Sequence, residues 1–414
     1  MVDAAVIVIV DEGSVSPLVT LCGVSLLKRA VLTAQKTGAT TCYLCLDQVS
    51  DALRREVSDD SRITSQIVWV SQDSRNILPA ALLPTGPNLV FPIATIFCHP
   101  LIQDIAREPV AEKTIVFTDT SGVAAIALVP GEQVPALLQE LIQRKRLDET
   151  SAMSSGEQRP LPQARSLFCR RLMPTSKVED IVEVEQALLL SLENPRDGKI
   201  DTYFNRKLSR PLTRWLLQTP LTPNQITILS CVVGLLGALC FSLGGYWSPL
   251  IGALLLQFSV VLDCCDGEVA RVKFLESPFG DTLDIICDTV VTIAIFVGMG
   301  IAVWKDGASH HALTLASLLV LGGGLAFPLV TLAEKTEAMG NRRGGWEDSL
   351  MKRLLASLTT RDVSVVIFVS ALTGKLVWFL WGAAIGAHVF WLVLAWLLWR
   401  AGRFQWLGLK GVQE

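Results

Sequence analysis

The stretch Leu262-Asp263-Cys264-Cys265-Asp266-Gly267-Glu268-Val269-Ala270-Arg271 sets three acids at the end of an apolar run, and Gly280, Asp284 and Asp288 follow. An ionised carboxylate inside hydrocarbon costs roughly 2.5–3.5 kcal/mol even on insertion scales. Several at one end of a membrane span repel each other unless cations bind. On a helix, Asp263, Asp266, Ala270 and Arg271 stand at i, i+3, i+7 and i+8 and project from one side. Asp284 and Asp288 stand at i and i+4 of a second helix, and Asp281 extends that side. Two such helices face to face offer oxygen ligands only, a set that suits Mg²⁺ or Mn²⁺ and not zinc. Gly267 lets a ligand or another backbone approach closely, and Arg271 is suited to a phosphate.

These residues need apolar helices to carry them. Pro223–Gly245 has no charged residue and is long enough to cross a bilayer of roughly 30 Å. Ser248–Leu262, Thr289–Val303, Leu313–Leu332, Val363–Leu372 and Leu376–Trp399 supply five more segments, the fifth span being short unless it continues from Thr359. Six spans are predicted. Arg196, Lys199, Arg206, Lys207, Arg210 and Arg214 precede the first, and Lys335, Arg342, Arg343, Lys352, Arg353 and Arg361 fill the 4–5 loop. Only Lys305 and Lys375 lie on the other side, so both termini and the carboxylates are expected on the cytoplasmic face of the inner membrane. Asp201–Gln218 alternates Tyr203, Phe204, Leu208, Leu212, Trp215 and Leu216 with basic residues. That pattern suits an amphipathic helix at the membrane interface, and equally a linker helix packed on protein.

Residues 1 to about 190 read differently. Val6–Val10 is a β-branched run, Leu26, Leu27, Ala30, Val31 and Ala34 recur at helical spacing, and Thr41–Leu46 is a second strand. Such a β-α-β unit implies a parallel sheet covered by helices. Further strands are expected at Ile67–Val70, Leu89–Phe91, Thr114–Phe117 and Ala124–Val129, a loop at 151–165 and a closing helix at Ile181–Leu192. The fold class is an α/β domain joined to an all-α membrane domain. Its expected bounds are 1–192, an interfacial linker 193–221, the membrane domain 222–403 and a tail 404–414.

Composition agrees with that division. The 414 residues are 50% hydrophobic and 18% charged, with a mean hydropathy of +0.45, too high for a soluble chain and too low for spans alone. A net charge of −3 excludes nucleic-acid binding through bulk positive charge. The ten cysteines, including Cys42–Cys45 and Cys264–Cys265, show no zinc spacing and no secreted disulfide pattern. The acidic start and short apolar run of the N-terminus do not resemble a signal peptide, and the first domain is expected in the cytoplasm.

The acidic stretch resembles the signature of the CDP-alcohol phosphotransferases, D-x-x-D-G-x-x-A-R, eight or nine residues, then G-x-x-x-D-x-x-x-D. Asp263, Asp266, Gly267, Ala270, Arg271, Gly280, Asp284 and Asp288 fill all eight positions with a gap of eight. The resemblance covers about residues 195–400. It implies transfer of a substituted phosphate from a CDP-linked donor (CDP-diacylglycerol or a CDP-inositol) to an alcohol with release of CMP. It further implies that Asp263, Asp266 and Asp284 bind metal, two Mg²⁺ or Mn²⁺ ions, and that Asp288 takes the acceptor proton and also meets metal. Gly267, Ala270, Arg271 and Gly280 would line the CDP site. Leu221-Thr222-Pro223-Asn224-Gln225-Ile226-Thr227 is similar to the family's approach to span one, and Asn224 reads as a cytidine contact or as a helix cap.

Arg342, Arg343 and Arg361 are candidate ligands for an acceptor phosphate, although the positive-inside rule already requires basic residues there. His310-His311 reads as a wet loop. Gly382 and Gly386, with the family's habit, suggest a homodimer; small residues also pack helices within one chain.

The first domain resembles the sugar-nucleotide and inositol-phosphate cytidylyltransferases through Gly23-Val24-Ser25-Leu26-Leu27-Lys28-Arg29 and Val178–Leu190. The catalytic parts expected of that family are missing. The triphosphate loop is Asp11-Glu12-Gly13-Ser14-Val15-Ser16-Pro17-Leu18, with no base, and Phe91-Pro92-Ile93-Ala94-Thr95 and Leu172-Met173-Pro174-Thr175 stand where metal-binding aspartates are expected. The domain is read as degenerate. The rival readings are a bifunctional enzyme that makes its own CDP-alcohol, and a non-catalytic membrane scaffold.

Overall fold

The computed structural model describes residues 6–10, 15–46, 48–70, 88–97, 99–106, 113–118, 124–142, 150, 154–161, 169–172, 178–191, 205–338, 350 and 362–400. The chain divides into two compact units, Met1–Glu193 with Arg271–Phe274, and Asn194–Ala270 with Leu275–Glu414.

The first unit is built on a seven-stranded sheet. Its strand order is Glu157–Pro160, Ile115–Thr118, Ala124–Val129, Asn88–Pro92, Val6–Val10, Thr41–Cys45 and Gln66–Val70. All neighbours are parallel except around Ala124–Val129, which runs antiparallel to both of its own. Ile9, Val10, Leu44, Val90 and Phe91 are buried because helices cover the central strands. The first helix, Leu26–Lys36, begins where the Ser25 hydroxyl accepts from the Lys28 N–H at 3.3 Å. It is followed by Gly38 at φ +95°, a conformation that glycine adopts without strain. Cys42 and Cys45 sit three apart in one strand, so their side chains leave opposite faces and cannot pair. Burial pushes both thiols up to about 12.

One expectation fails here. The segment expected as a loop contains Glu157–Pro160, an edge strand parallel to Ile115–Thr118. Its residues are mostly exposed, so no alternation of apolar and polar residues marks it.

Among the described residues five helices are long and apolar enough to cross a membrane: Pro223–Leu243, Trp247–Lys273, Pro278–Lys305, Ala312–Ala333 and Leu376–Arg400. The short fifth span expected at Val363–Leu372 is described as a helix over Asp362–Leu372, 11 residues. At 1.5 Å per residue that reaches about half of the hydrocarbon core. The extension from Thr359 lies outside the described residues. Leu229, Leu236, Leu239, Ile286 and Ile293 point outward and exposed, as a lipid solvent requires. The chain is a membrane protein.

The first three spans approach closely. A Cβ on Gly252 would lie 2.8 Å from the Gly237 carbonyl, and one on Gly298 would lie 2.5 Å from the Ala238 carbonyl. Both are closer than any side chain allows, so these positions hold spans one and two, and one and three, at backbone distance. Arg206–Leu217 forms the expected helix before span one, with Arg206, Ser209 and Thr213 buried and Leu208 and Trp215 exposed. Its packed face carries these polar residues together with the buried Leu216 and Leu217. Tyr203 and Phe204 lie outside the described residues.

Candidate active site

Span one starts at Thr222, whose hydroxyl accepts from the Gln225 N–H while Gln225 Oε1 accepts from the Thr222 N–H, with Pro223 in the first turn. The cap is therefore Thr222, not Asn224. Asn224 instead meets the start of span three: a Cβ on Gly280 would stand 3.1 Å from Asn224 Oδ1 and from Ser277 Oγ. Ser277 caps that span by accepting from the Gly280 N–H at 3.0 Å. Asn224 and Gly280 are thus neighbours, as their assignment to one site requires.

Asp263 on span two meets Asp284 and Asp288 on span three. One carboxylate oxygen from each lies within 4.8 Å of the other two. Asp263 is buried, Asp284 half-buried and Asp288 exposed, so the group opens on one side. The Asp263 and Asp284 carboxylates are within hydrogen-bonding reach, and Asp266 and Asp288 are the other charges around Asp284. Asp284 Oδ1 is itself buried with no hydrogen-bond partner among the described residues. Two carboxylates at about 4.8 Å repel by about 3 kcal/mol at an effective dielectric constant of about 20. Such crowding persists only with protons or cations between the oxygens. The donors are all carboxylate oxygen, which fits a hard divalent cation.

Asp266 is buried one turn on and accepts from Thr227 Oγ1 of span one at 2.5 Å. It does not join the three oxygens that converge, but it stays in the same field of charge. Gly267 and Ala270 follow, partly exposed, and Arg271 is partly exposed near the end of the helix. Arg342, Arg343 and Arg361 lie outside the described residues, as do Lys352 and Arg353. His310 and His311 are exposed in the turn after span three.

Two residues of this region carry no assignment from sequence. Thr227, which holds Asp266, lies three residues after Asn224 on the same face of span one, a spacing that would have pointed to it. Glu268 is the second. Its carboxylate accepts from Arg206, Ser209 and Thr213, a partnership that no local pattern announces.

In the first unit Lys28 bonds Glu56 at 3.2 Å and Asp60 at 3.5 Å, and Arg62 bonds Asp60 through two nitrogens. The Arg62 hydrogen bonds hold the Asp60 carboxyl at about 2. Phe91, Ile93, Ala94 and Thr95, the stretch where the resemblance led to the expectation of a metal-binding acid, are buried. Asp11–Ser14 and Met173–Thr175 lie outside the described residues.

The CDP-alcohol phosphatidyltransferase profile matches residues 220–399. The chain is 30% identical over 164 residues to a bifunctional IPC transferase and DIPP synthase of Aquifex aeolicus, across 39% of this chain and 36% of that one. It is 32% identical over 167 residues to a phosphatidylinositol phosphate synthase of Mycobacterium tuberculosis, across 39% of this chain and 73% of that one. A crystal structure of the M. tuberculosis synthase with CDP-DAG bound has 26% identity and a TM-score of 0.32, over 46% of this chain and 94% of its own. The chain spans well under half the length of the bifunctional relatives it matches. A synthase matched at 32% identity over nearly three quarters of its length, together with the family profile over residues 220–399 that include all eight signature residues, settles the family. The chain belongs to the CDP-alcohol phosphatidyltransferase family.

Proposed function

We propose that the membrane unit transfers a substituted phosphate from a CDP-linked donor to an alcohol and releases CMP. The observation that carries this reading is the convergence of Asp263, Asp284 and Asp288 within 4.8 Å beside the Thr227–Asp266 pair. Asp263, Asp266 and Asp284 would hold Mg²⁺ or Mn²⁺, two ions in all, with Asp288 at the edge of the set. The chemistry such ions supply when bound is neutralisation of the pyrophosphate and of the departing CMP.

This chain's own residues do the rest. Asn224, Gly267, Ala270, Arg271 and Gly280 line the nucleotide, with Arg271 pairing a phosphate. Asp288, the most exposed of the three converging acids, is open to the acceptor and takes the proton from its hydroxyl. The acceptor oxygen bonds to the phosphorus that bears the donor's substituent, the bond from that phosphorus to the CMP oxygen breaks, and CMP leaves. Arg342, Arg343 and Arg361 are the candidates for an acceptor phosphate.

The relatives are named for phosphatidylinositol phosphate and for IPC transfer, which favours an inositol phosphate or a similar polar alcohol as acceptor. The donor is CDP-diacylglycerol or a CDP-inositol. The positive-inside rule puts the site and both termini on the cytoplasmic side of the inner membrane. Residues 1–192 form a nucleotidyltransferase-like domain without its own turnover, residues 193–221 a linker and 222–403 the catalytic domain. Gly382 and Gly386, which face open space, mark the surface for a homodimer.

The test is CMP release by purified protein with Mg²⁺, offering each donor against a panel of alcohols, with Asp288→Asn as control. CMP from one donor–acceptor pair that disappears in the variant is the expected result. No CMP from any pair, together with no Mn²⁺ binding, would leave a membrane scaffold as the reading. Turnover of CTP by residues 1–192 in the full chain would instead make the protein bifunctional.

A further inference from the structure

Glu268 stands apart from the acids that face span three. At about 100° per residue it lies about 170° around span two from the midpoint of Asp263 and Asp266. Its Oε1 accepts from Arg206 at 2.6 Å and from Ser209 at 3.1 Å, and its Oε2 accepts from Thr213 at 2.5 Å. The pair is buried, with 7% side-chain exposure for Arg206 and 4% for Glu268. The donors come from one helix, Arg206–Leu217, at i, i+3 and i+7, which is a single face. Three more bonds fasten the same side of span two. Cys265 Sγ donates to the Ser209 carbonyl at 3.6 Å. Gln257 donates to Asn205 Oδ1 at 2.5 Å and accepts from Ser364 at 3.1 Å.

A buried ion pair is a poor source of stability, because desolvation offsets much of its attraction. What a carboxylate with three fixed donors does supply is angle. Side-chain ends lie about 5–6 Å from a helix axis, so a rotation of span two by about 20° would carry the Asp263 carboxylate by about 2 Å. Metal–ligand distances tolerate changes on the order of 0.2 Å. A ligand set divided between two helices therefore needs each helix held in rotation: the Thr227–Asp266 bond acts on the carboxylate side of span two, and the Glu268 bonds act on the opposite side.

We propose that Glu268 is a positioning residue for the carboxylate cluster. Clamped to Arg206, Ser209 and Thr213, it fixes the rotation of span two so that Asp263 and Asp266 face Asp284 and Asp288. This rests on the metal-binding role given to those aspartates above, and it adds a residue that touches neither metal nor substrate.

The experiment uses the full chain in detergent, with Mn²⁺ affinity read by electron paramagnetic resonance, thermal unfolding, and CMP release resolved into kcat and KM. Glu268→Gln leaves the Arg206 charge buried and unanswered, so the informative variant is the double change Arg206→Met and Glu268→Met, which removes both charges at similar volume. The double variant is expected to unfold within a few degrees of the parent. It should bind Mn²⁺ about 10–100-fold more weakly, the range for losing a ligand's support, and lose kcat more than KM. Arg206→Lys, which keeps the charge, should restore Mn²⁺ affinity to within a few-fold. If the double variant does not fold, Thr213→Val, which deletes one hydroxyl, carries the same expectation at the lower end of that range. A folded variant with the parent's Mn²⁺ affinity overturns the proposal. A parent protein that binds no Mn²⁺ overturns the metal site and this role with it. A parent that binds Mn²⁺ without releasing CMP, while the double variant binds weakly, upholds the positioning role and removes only the substrates.

Discussion

The molecule holds two groups of close acids, and they are built on opposite principles. In the α/β unit, Glu56 and Asp60 surround Lys28 and Arg62, and each charge has its counter-charge within 3.5 Å. In the membrane unit, Asp263, Asp284 and Asp288 bring like charges within 4.8 Å, with one buried oxygen of Asp284 lacking a hydrogen-bond partner among the described residues. The first group is complete as it stands and serves the fold. The second is complete only with something added, and that is the mark of a binding site. Glu268 sharpens the contrast, since it is as buried as Asp263 and sits five residues away, yet belongs with the balanced kind.

The largest expected effect breaks the unbalanced group. Asp288→Asn should lower CMP release by about 10²–10⁴-fold, the usual worth of a general base, while thermal unfolding stays unchanged or rises because a repulsion is gone. A fall in both would mean that Asp288 holds the fold. Next, Mn²⁺ at about 100 times its Kd should stabilise the chain by about 2.7 kcal/mol, chelation should remove that gain, and Asp284→Asn should abolish it, all by thermal unfolding. Thr227→Val, which deletes the donor to Asp266, should weaken Mn²⁺ binding by about ten-fold in a direct titration.

The balanced group should respond only to acid. Asp60 has its carboxyl depressed from 3.8 to about 2. Its contribution is thus present above the ordinary value and lost as pH falls from 3.8 towards 2. Asp60→Asn should cost about 1 kcal/mol or less at neutral pH, and hydrogen exchange around Asp59–Gln66 should lose its response to acid in that range. Smallest of all, Cys42 and Cys45, whose thiols stay protonated at neutral pH, should resist alkylation in the folded chain. Rapid labelling of either would show that the sheet opens.

How much of this was legible beforehand follows from distance along the chain. Asp263, Asp266, Asp284 and Asp288 declare themselves because helical spacing is local and because acids are conspicuous in apolar sequence. The central strands are legible for the same reason, since Val6–Val10 is apolar throughout and Thr41–Cys45 is so after its first residue. Glu268 is not, because its partners stand 55 to 62 residues earlier and only packing brings them together. Glu157–Pro160 is invisible because an exposed edge strand has no core to write a pattern in its side chains.

The clamp on Glu268 also has a consequence for how the protein is made. Its partners Arg206, Ser209 and Thr213, and the Thr227 that holds Asp266, all precede span two in the chain. When span two leaves the ribosome, the hydrogen-bond donors of those two acids have already been made. Asp263 meets Asp284 and Asp288 only when the next helix arrives, on the order of seconds later at about 5–20 residues per second. Biogenesis thus has one exposed interval, and a lesion that slows synthesis between Lys273 and Asp288 would lengthen it, giving quality control more time to seize the chain before its active site has closed.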